Sequence, residues 1–149
     1  MKKLLLVLTG AICFVACQQR TAKTAGEKPV DPTQDSTNFT TIQWIDSVDK
    51  DLGTVKEGPE VEVGYKFKNT GDHPLIISDV RASCGCTIPE KPQEPFEPGA
   101  TGTIRAKFTT KGHVGANVKS ITVTANTKKN VYQELTFRIN VEADKPNNN

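Results

Sequence analysis

The chain has 149 residues, of which 24% are charged and 36% hydrophobic, with 19 basic against 17 acidic groups and four cysteines. This length supports one domain of ordinary size, and a net charge of +2 lacks the basic field a nucleic-acid binder needs to grip phosphates. Without residues 1–16 the chain loses Lys2 and Lys3 and no acidic residue, so 19 basic groups less two leave 17 against 17.

Residues 1–16 set Lys2 and Lys3 before the apolar stretch 4–15 and end on Ala16, ahead of Cys17. A charged start, an apolar middle and a small residue at the cut make a secretory leader. Its apolar run is well short of the ~20 residues that a permanent membrane-spanning helix requires. The block Phe14-Val15-Ala16-Cys17 resembles a bacterial lipobox, in which the bond before the cysteine is cut and the cysteine is lipidated; the plainer alternative is an ordinary signal peptide cleaved nearby. Each buried acyl methylene contributes ~0.8 kcal/mol, so several chains of the palmitate type on Cys17 would anchor the protein permanently. Gln18, where an Asp would retain a lipoprotein at the inner membrane, resembles the outer-membrane sorting signal of Gram-negative bacteria. The expectation is therefore a cell-envelope lipoprotein, tethered rather than transmembrane, on either the periplasmic face or the cell surface.

Residues 17–38 hold no aromatic side chain and one large aliphatic, Val30, among Thr, Lys, Gln, Pro and Asp. Such a stretch buries too little apolar surface to offset its ordering entropy and reads as a flexible linker with a reach of ~25 Å. Residues 144–149 read as a disordered tail for the same reason. The domain is then residues 39–143.

Within it, residues 40–45 and Gly53-Thr54-Val55 supply the first strand or two, with Trp44 as a core or sheet-edge anchor. In residues 60–68, Val61, Val63, Tyr65 and Phe67 alternate with polar or small residues, the period of two of a strand with one buried face. Ile104, Ala106 and Phe108 repeat the pattern, as do Ile121, Val123 and Ala125, and then Leu135, Phe137, Ile139 and Val141. Turn signals stand between them: Asn69-Thr70-Gly71-Asp72 before Pro74, Glu97-Pro98-Gly99-Ala100, Lys111-Gly112, and residues 126–130. Pro98 suits the second and Gly99 the third position of a type II turn. No window has a helical period, and short strands at this spacing indicate an all-β, antiparallel sandwich.

The run Phe67-Lys68-Asn69-Thr70-Gly71-Asp72, then Pro74-Leu75-Ile76-Ile77, then Ser83-Cys84-Gly85-Cys86-Thr87, then Pro98-Gly99 and Gly112, resembles the bacterial family known as domain of unknown function 1573. The match spans nearly the whole domain. It implies an immunoglobulin-like sandwich of about seven to eight strands, related to the major-sperm-protein and Hydin-type domains, and envelope lipoproteins of the Bacteroidetes type. It implies no activity. In that lineage Asp, then Ser or Thr, then a small or aliphatic residue can mark O-glycosylation. Asp35-Ser36-Thr37 fits, against a plain solvated linker at Ser36, and Asp46-Ser47-Val48 fits less well because Ser47 belongs to the fold.

With Cys13 lost in the leader and Cys17 acylated, Cys84 and Cys86 are the thiols that remain. On an extended strand they would share a face with Val80, Ala82 and Ile88. Their Cα atoms would be ~6.6 Å apart, at the upper limit for a disulfide, so bonding needs the chain to tighten at Gly85. Three readings stay open: a buried structural pair or staple, a thiol-disulfide exchanger activated by Arg81, Lys91 or a backbone donor, and a Cu(I) site of two soft thiolates. Zinc would need more ligands than His73 and His113, both in turns, supply with them. The chain has no G-x-S-x-G elbow, H-E-x-x-H or P-loop, so the expectation is a non-enzymatic interaction module without a cofactor. Its partner would be an envelope protein or glycan, met through Asn69, Thr70, Gly71 and Asp72 and through Ser83, Gly85 and Thr87.

Overall fold

The computed structural model describes residues 36–144, so the leader, Cys17, residues 18–35 and the end of the tail lie outside it. A single 3-10 turn, Ser36–Asn38, leads into eight strands: β1 Ile42–Trp44, β2 Asp49–Lys56, β3 Glu60–Asn69, β4 Ile77–Ala82, β5 Thr87–Glu90, β6 Thr101–Thr109, β7 Gly115–Ala125 and β8 Tyr132–Glu142. They form two four-stranded sheets in the orders β1-β3-β6-β5 and β2-β8-β7-β4. This is the all-β sandwich that the alternation predicts, with the immunoglobulin-like build that the family resemblance implies.

One pairing departs from the antiparallel expectation: β2 runs parallel to β8, with Asp49 opposite Thr136 and Val55 opposite Val141. The cause is the short link between β1 and β2. β1 is bound antiparallel to β3, and residues 45–48 carry the chain across to the other sheet without reversing it. A strand that changes sheets while keeping its direction meets β8 in parallel.

The core is where the two period-two faces meet. Val63, Tyr65 and Phe67 of β3 and Ile104, Ala106 and Phe108 of β6 face Ile121 and Val123 of β7 and Leu135, Phe137, Ile139 and Val141 of β8, all buried. Each large side chain so buried contributes roughly 1.5–3 kcal/mol. Phe108 and Phe137 meet edge-to-face across the layers, with ring centroids 5.8 Å apart. Trp44 packs its ring against Phe67 at 5.6 Å as a sheet-edge anchor. In β4 the register shifts between Ile77 and Asp79, which lets Ile77 and Val80, three residues apart, both point inward. The Pro98-Gly99 turn forms as expected, with Gly99 at φ 83° and the Ala100 N–H donating to the Glu97 carbonyl at 2.9 Å.

Candidate functional site

The Asn69 turn is a fastener. Asn69 ends β3 on its inward face and is wholly buried. Its Oδ1 accepts the Thr40 hydroxyl at 2.8 Å and the Gly71 N–H at 3.1 Å, and its Nδ2 donates to the carbonyls of His73 and Phe96, each at 2.8 Å. All four hydrogen-bonding sites of the amide are thus used internally. A Cβ on Gly71 would lie 2.2 Å from the Thr40 Oγ1, because the incoming chain crosses directly over it. Asn126, also buried, works the same way: its Oδ1 accepts the Ile76 N–H and its Nδ2 donates to the carbonyls of Asn38 and Pro74. Of the four residues expected to meet a partner here, Asn69 has no surface to offer and Gly71 sits against the chain. Thr70 and Asp72 are exposed.

The thiol turn has a different construction. Cys84 and Cys86 are joined by a disulfide, with Cα atoms 5.3 Å apart. They are not on a strand, which corrects the sequence expectation: β4 ends at Ala82 and β5 begins at Thr87, and the residues between carry the chain from the edge of one sheet to the edge of the other. The common face expected from Val80 to Ile88 is therefore broken. Thr87 is buried and Ile88 is 60% exposed. The crossover also supplies the tightening, since the Thr87 N–H donates to the Cys84 carbonyl at 3.2 Å. Gly85 is outside the left-handed region and has open space where a Cβ would stand, so the conformational freedom expected of it is not drawn on.

Both ends of the turn are clamped. The Ser83 N–H donates to the Ser120 carbonyl at 2.9 Å and its Oγ accepts the Ser120 N–H at 3.1 Å, while the Cys86 carbonyl accepts the Thr109 N–H at 2.9 Å. Cys86 is packed against the core. The Thr87 hydroxyl lies 3.8 Å from the Cys84 sulfur and 4.0 Å from that of Cys86. Arg81, expected as an activating cation, is paired with Asp79, and Lys91 follows the far end of β5.

The two turns do not form one surface. The Asn69 N–H bonds Ala100, just before β6, whereas Cys86 bonds Thr109 at its end. At ~3.3 Å per residue, the nine steps from Ala100 to Thr109 set them about 30 Å apart, at opposite ends of the sandwich. His73 and His113 are divided the same way, since His73 belongs to the Asn69 turn and the His113 N–H bonds Thr110. Among the described residues no three His, Cys, Asp or Glu side chains cluster as a metal site.

Ionisation is shifted at Asp46 and at Tyr65. The Lys50 ammonium and the Lys66 N–H both donate to Asp46 and hold its carboxyl below the usual range. Burial, with a smaller effect from Asp49, pushes the Tyr65 phenol up to about 12. Its hydroxyl donates across the sandwich to the Thr136 carbonyl at 2.7 Å, a link from β3 to β8 that the alternation of residues did not reveal.

Among solved structures, the fold is similar to a protein of unknown function from Porphyromonas gingivalis W83 (TM-score 0.63, 13% identity), covering 74% of this chain and 51% of that one. The chain thus spans about half the length of that protein. The PapD-like domain 7 of human CEP192 (TM-score 0.49, 12% identity, 83% and 96% covered) and the periplasmic chaperone SfaE (TM-score 0.46, 10% identity, 70% and 59% covered) also match. These likenesses concern the fold. No curated protein matches the chain. The family model of proteins of unknown function DUF1573 matches residues 42–141, a span that contains both the buried Asn69 turn and the disulfide crossover. The chain belongs to the DUF1573 family.

Proposed function

We propose that this is a lipid-anchored envelope protein whose immunoglobulin-like domain is a non-enzymatic interaction module, held at the outer membrane by acylated Cys17 and engaging another envelope protein through its thiol end. The observation that carries the reading is the difference between the ends of the sandwich. The Asn69 end is closed by turns whose amides are consumed internally, and the large side chain it exposes, Tyr132, carries a hydroxyl. The thiol end exposes Ile88 and Val114, at 60% and 56%, beside a partly exposed disulfide turn. Large apolar side chains standing in water on a rigid frame are the ordinary material of a protein contact. The block before Cys17 and the Gln18 after it support the anchor and its membrane, and an exposed Ser36 supports a glycosylated leash.

The test is a photo-crosslinking amino acid placed at Ile88 or at Asp72 in intact cells. A discrete adduct from position 88 and none from position 72 is expected. Equal labelling at both positions, or none at either, would leave the domain as a spacer.

A further inference from the structure

The geometry points to a second, separate function: the Cys84–Cys86 disulfide is an exchangeable redox centre that takes two electrons from a dithiol substrate, and the open space beside Gly85 is its point of approach. The crossover's form does not require a glycine at its middle. Gly85 has neither the positive φ that excludes side chains nor a neighbour within 4 Å of its missing Cβ. Gly71 and Gly102 are the contrast, since a Cβ on either would meet other atoms at 2.2 Å and 2.5 Å. What the missing side chain at Gly85 leaves is open space beside a disulfide.

The two sulfurs are unequal. Both are half-buried, but Cys86 packs on the core and its carbonyl is tied to β6, whereas Cys84 does not pack on the core and stands between two exposed residues, Ser83 and Gly85. An incoming thiolate is therefore directed to Cys84. Its attack forms a bond to the Cys84 sulfur and breaks the bond to Cys86, whose sulfur leaves with the electron pair as a thiolate. The buried Thr87 hydroxyl reaches both sulfurs and, among the described residues, bonds no other group, so it can donate to whichever becomes the anion. The second thiolate of the substrate then attacks its own sulfur in the mixed disulfide and releases Cys84 as a thiolate. The substrate departs as a disulfide, and the two protons its thiols lost end on Cys84 and Cys86. Exchange with a disulfide of another envelope protein, the oxidant, restores the bond. In that exchange the Cys84 thiolate attacks the oxidant's disulfide and expels one of its thiolates, and Cys86, held close by the clamps at Ser83 and Cys86, attacks the Cys84 sulfur and expels the other, an intramolecular step.

The structural alternative, a staple that never opens, predicts different reactivity. With the full chain in detergent, Cys86→Ser leaves Cys84 free and should form a mixed disulfide with oxidised glutathione on the folded protein. Cys84→Ser, which leaves the inner sulfur, should react at least about tenfold more slowly. In the otherwise unaltered protein, reduction by glutathione should slow by a similar factor in Gly85→Leu but not in Gly85→Ala, with the unfolding midpoint of both near that of the parent. Thr87→Val should slow the reaction while leaving the site of the adduct at Cys84. If the disulfide yields to glutathione only under unfolding conditions, or if both single-cysteine variants react at one rate, the assignment is wrong.

Discussion

The hydroxyl of Thr40 donates to Oδ1 of Asn69 at 2.8 Å across 29 positions of chain, and through it the first residues of the domain are fastened to the turn that ends β3. The same Thr40 donates its N–H to the Asn126 carbonyl at 2.9 Å, so one residue joins both buried asparagines. An amide with every site filled stabilises modestly when present and costs much more when one partner is removed, because the others stay buried and unpaired.

Asn69→Ala should therefore destabilise the domain by about 3–5 kcal/mol, against within about 0.5 kcal/mol for the exposed neighbour Asp72→Ala. Urea unfolding of the two variants checks this. Equal effects would mean that the turn is held by its backbone alone.

Gly71→Ala drives a methyl group into the Thr40 side chain and the Thr41 backbone and should cost about 1–3 kcal/mol. Gly85→Ala, with open space at its Cβ, should fall within about 0.5 kcal/mol of the parent. Thermal unfolding of the pair separates a glycine required by packing from one that is not.

Tyr65 has its ordinary value of 10.0 raised to about 12 by burial. Because the folded value lies above the unfolded one, its contribution is complete below pH 10 and is lost as the pH rises from 10 to about 12. Tyr65→Phe should cost about 1 kcal/mol near neutrality through the lost bond to Thr136, and should flatten the loss of stability at high pH. Unfolding curves of both proteins across that window decide it.

Asp46 is shifted the other way, by the hydrogen bonds from Lys50 and Lys66. A lowered folded value means stability that is present above the ordinary 3.8 and is lost as the pH falls through and below it. Asp46→Asn should show a shallower loss in acid than the parent, measured by urea midpoints between neutral pH and acid.

Cys17 as the anchor predicts that cells fed a labelled fatty acid incorporate it into the parent protein and not into Cys17→Ser. A parallel mass measurement of the mature protein should show Ser36→Ala losing any glycan that the parent carries.

Much of the fold was legible because a strand's inward and outward sides are set by neighbours two residues apart. β3, β6, β7 and β8 follow from Val63, Tyr65, Phe67 and their counterparts, since burial of each alternate residue needs no knowledge of which strand lies opposite. The Pro98-Gly99 turn was legible for a related reason: its backbone angles depend on two adjacent residues. The thiol turn was misread. Val80, Ala82, Cys84, Cys86 and Ile88 keep a regular spacing, but the chain leaves one sheet after Ala82 and joins another at Thr87, and a change of sheet resets which side is inward.

The sequence by itself determined the alternating faces, the principal turns, the family motifs and the two thiols set one residue apart. Tertiary structure alone decided that β2 would lie parallel to β8, that Asn69 would point inward as a fastener instead of outward as a contact, and that the two expected contact turns would stand at opposite ends. The physical reason is distance along the chain. Those outcomes depend on Thr40 meeting Asn69, Asp49 meeting Thr136 and Cys86 meeting Thr109, and no local periodicity records which remote backbone a residue will reach.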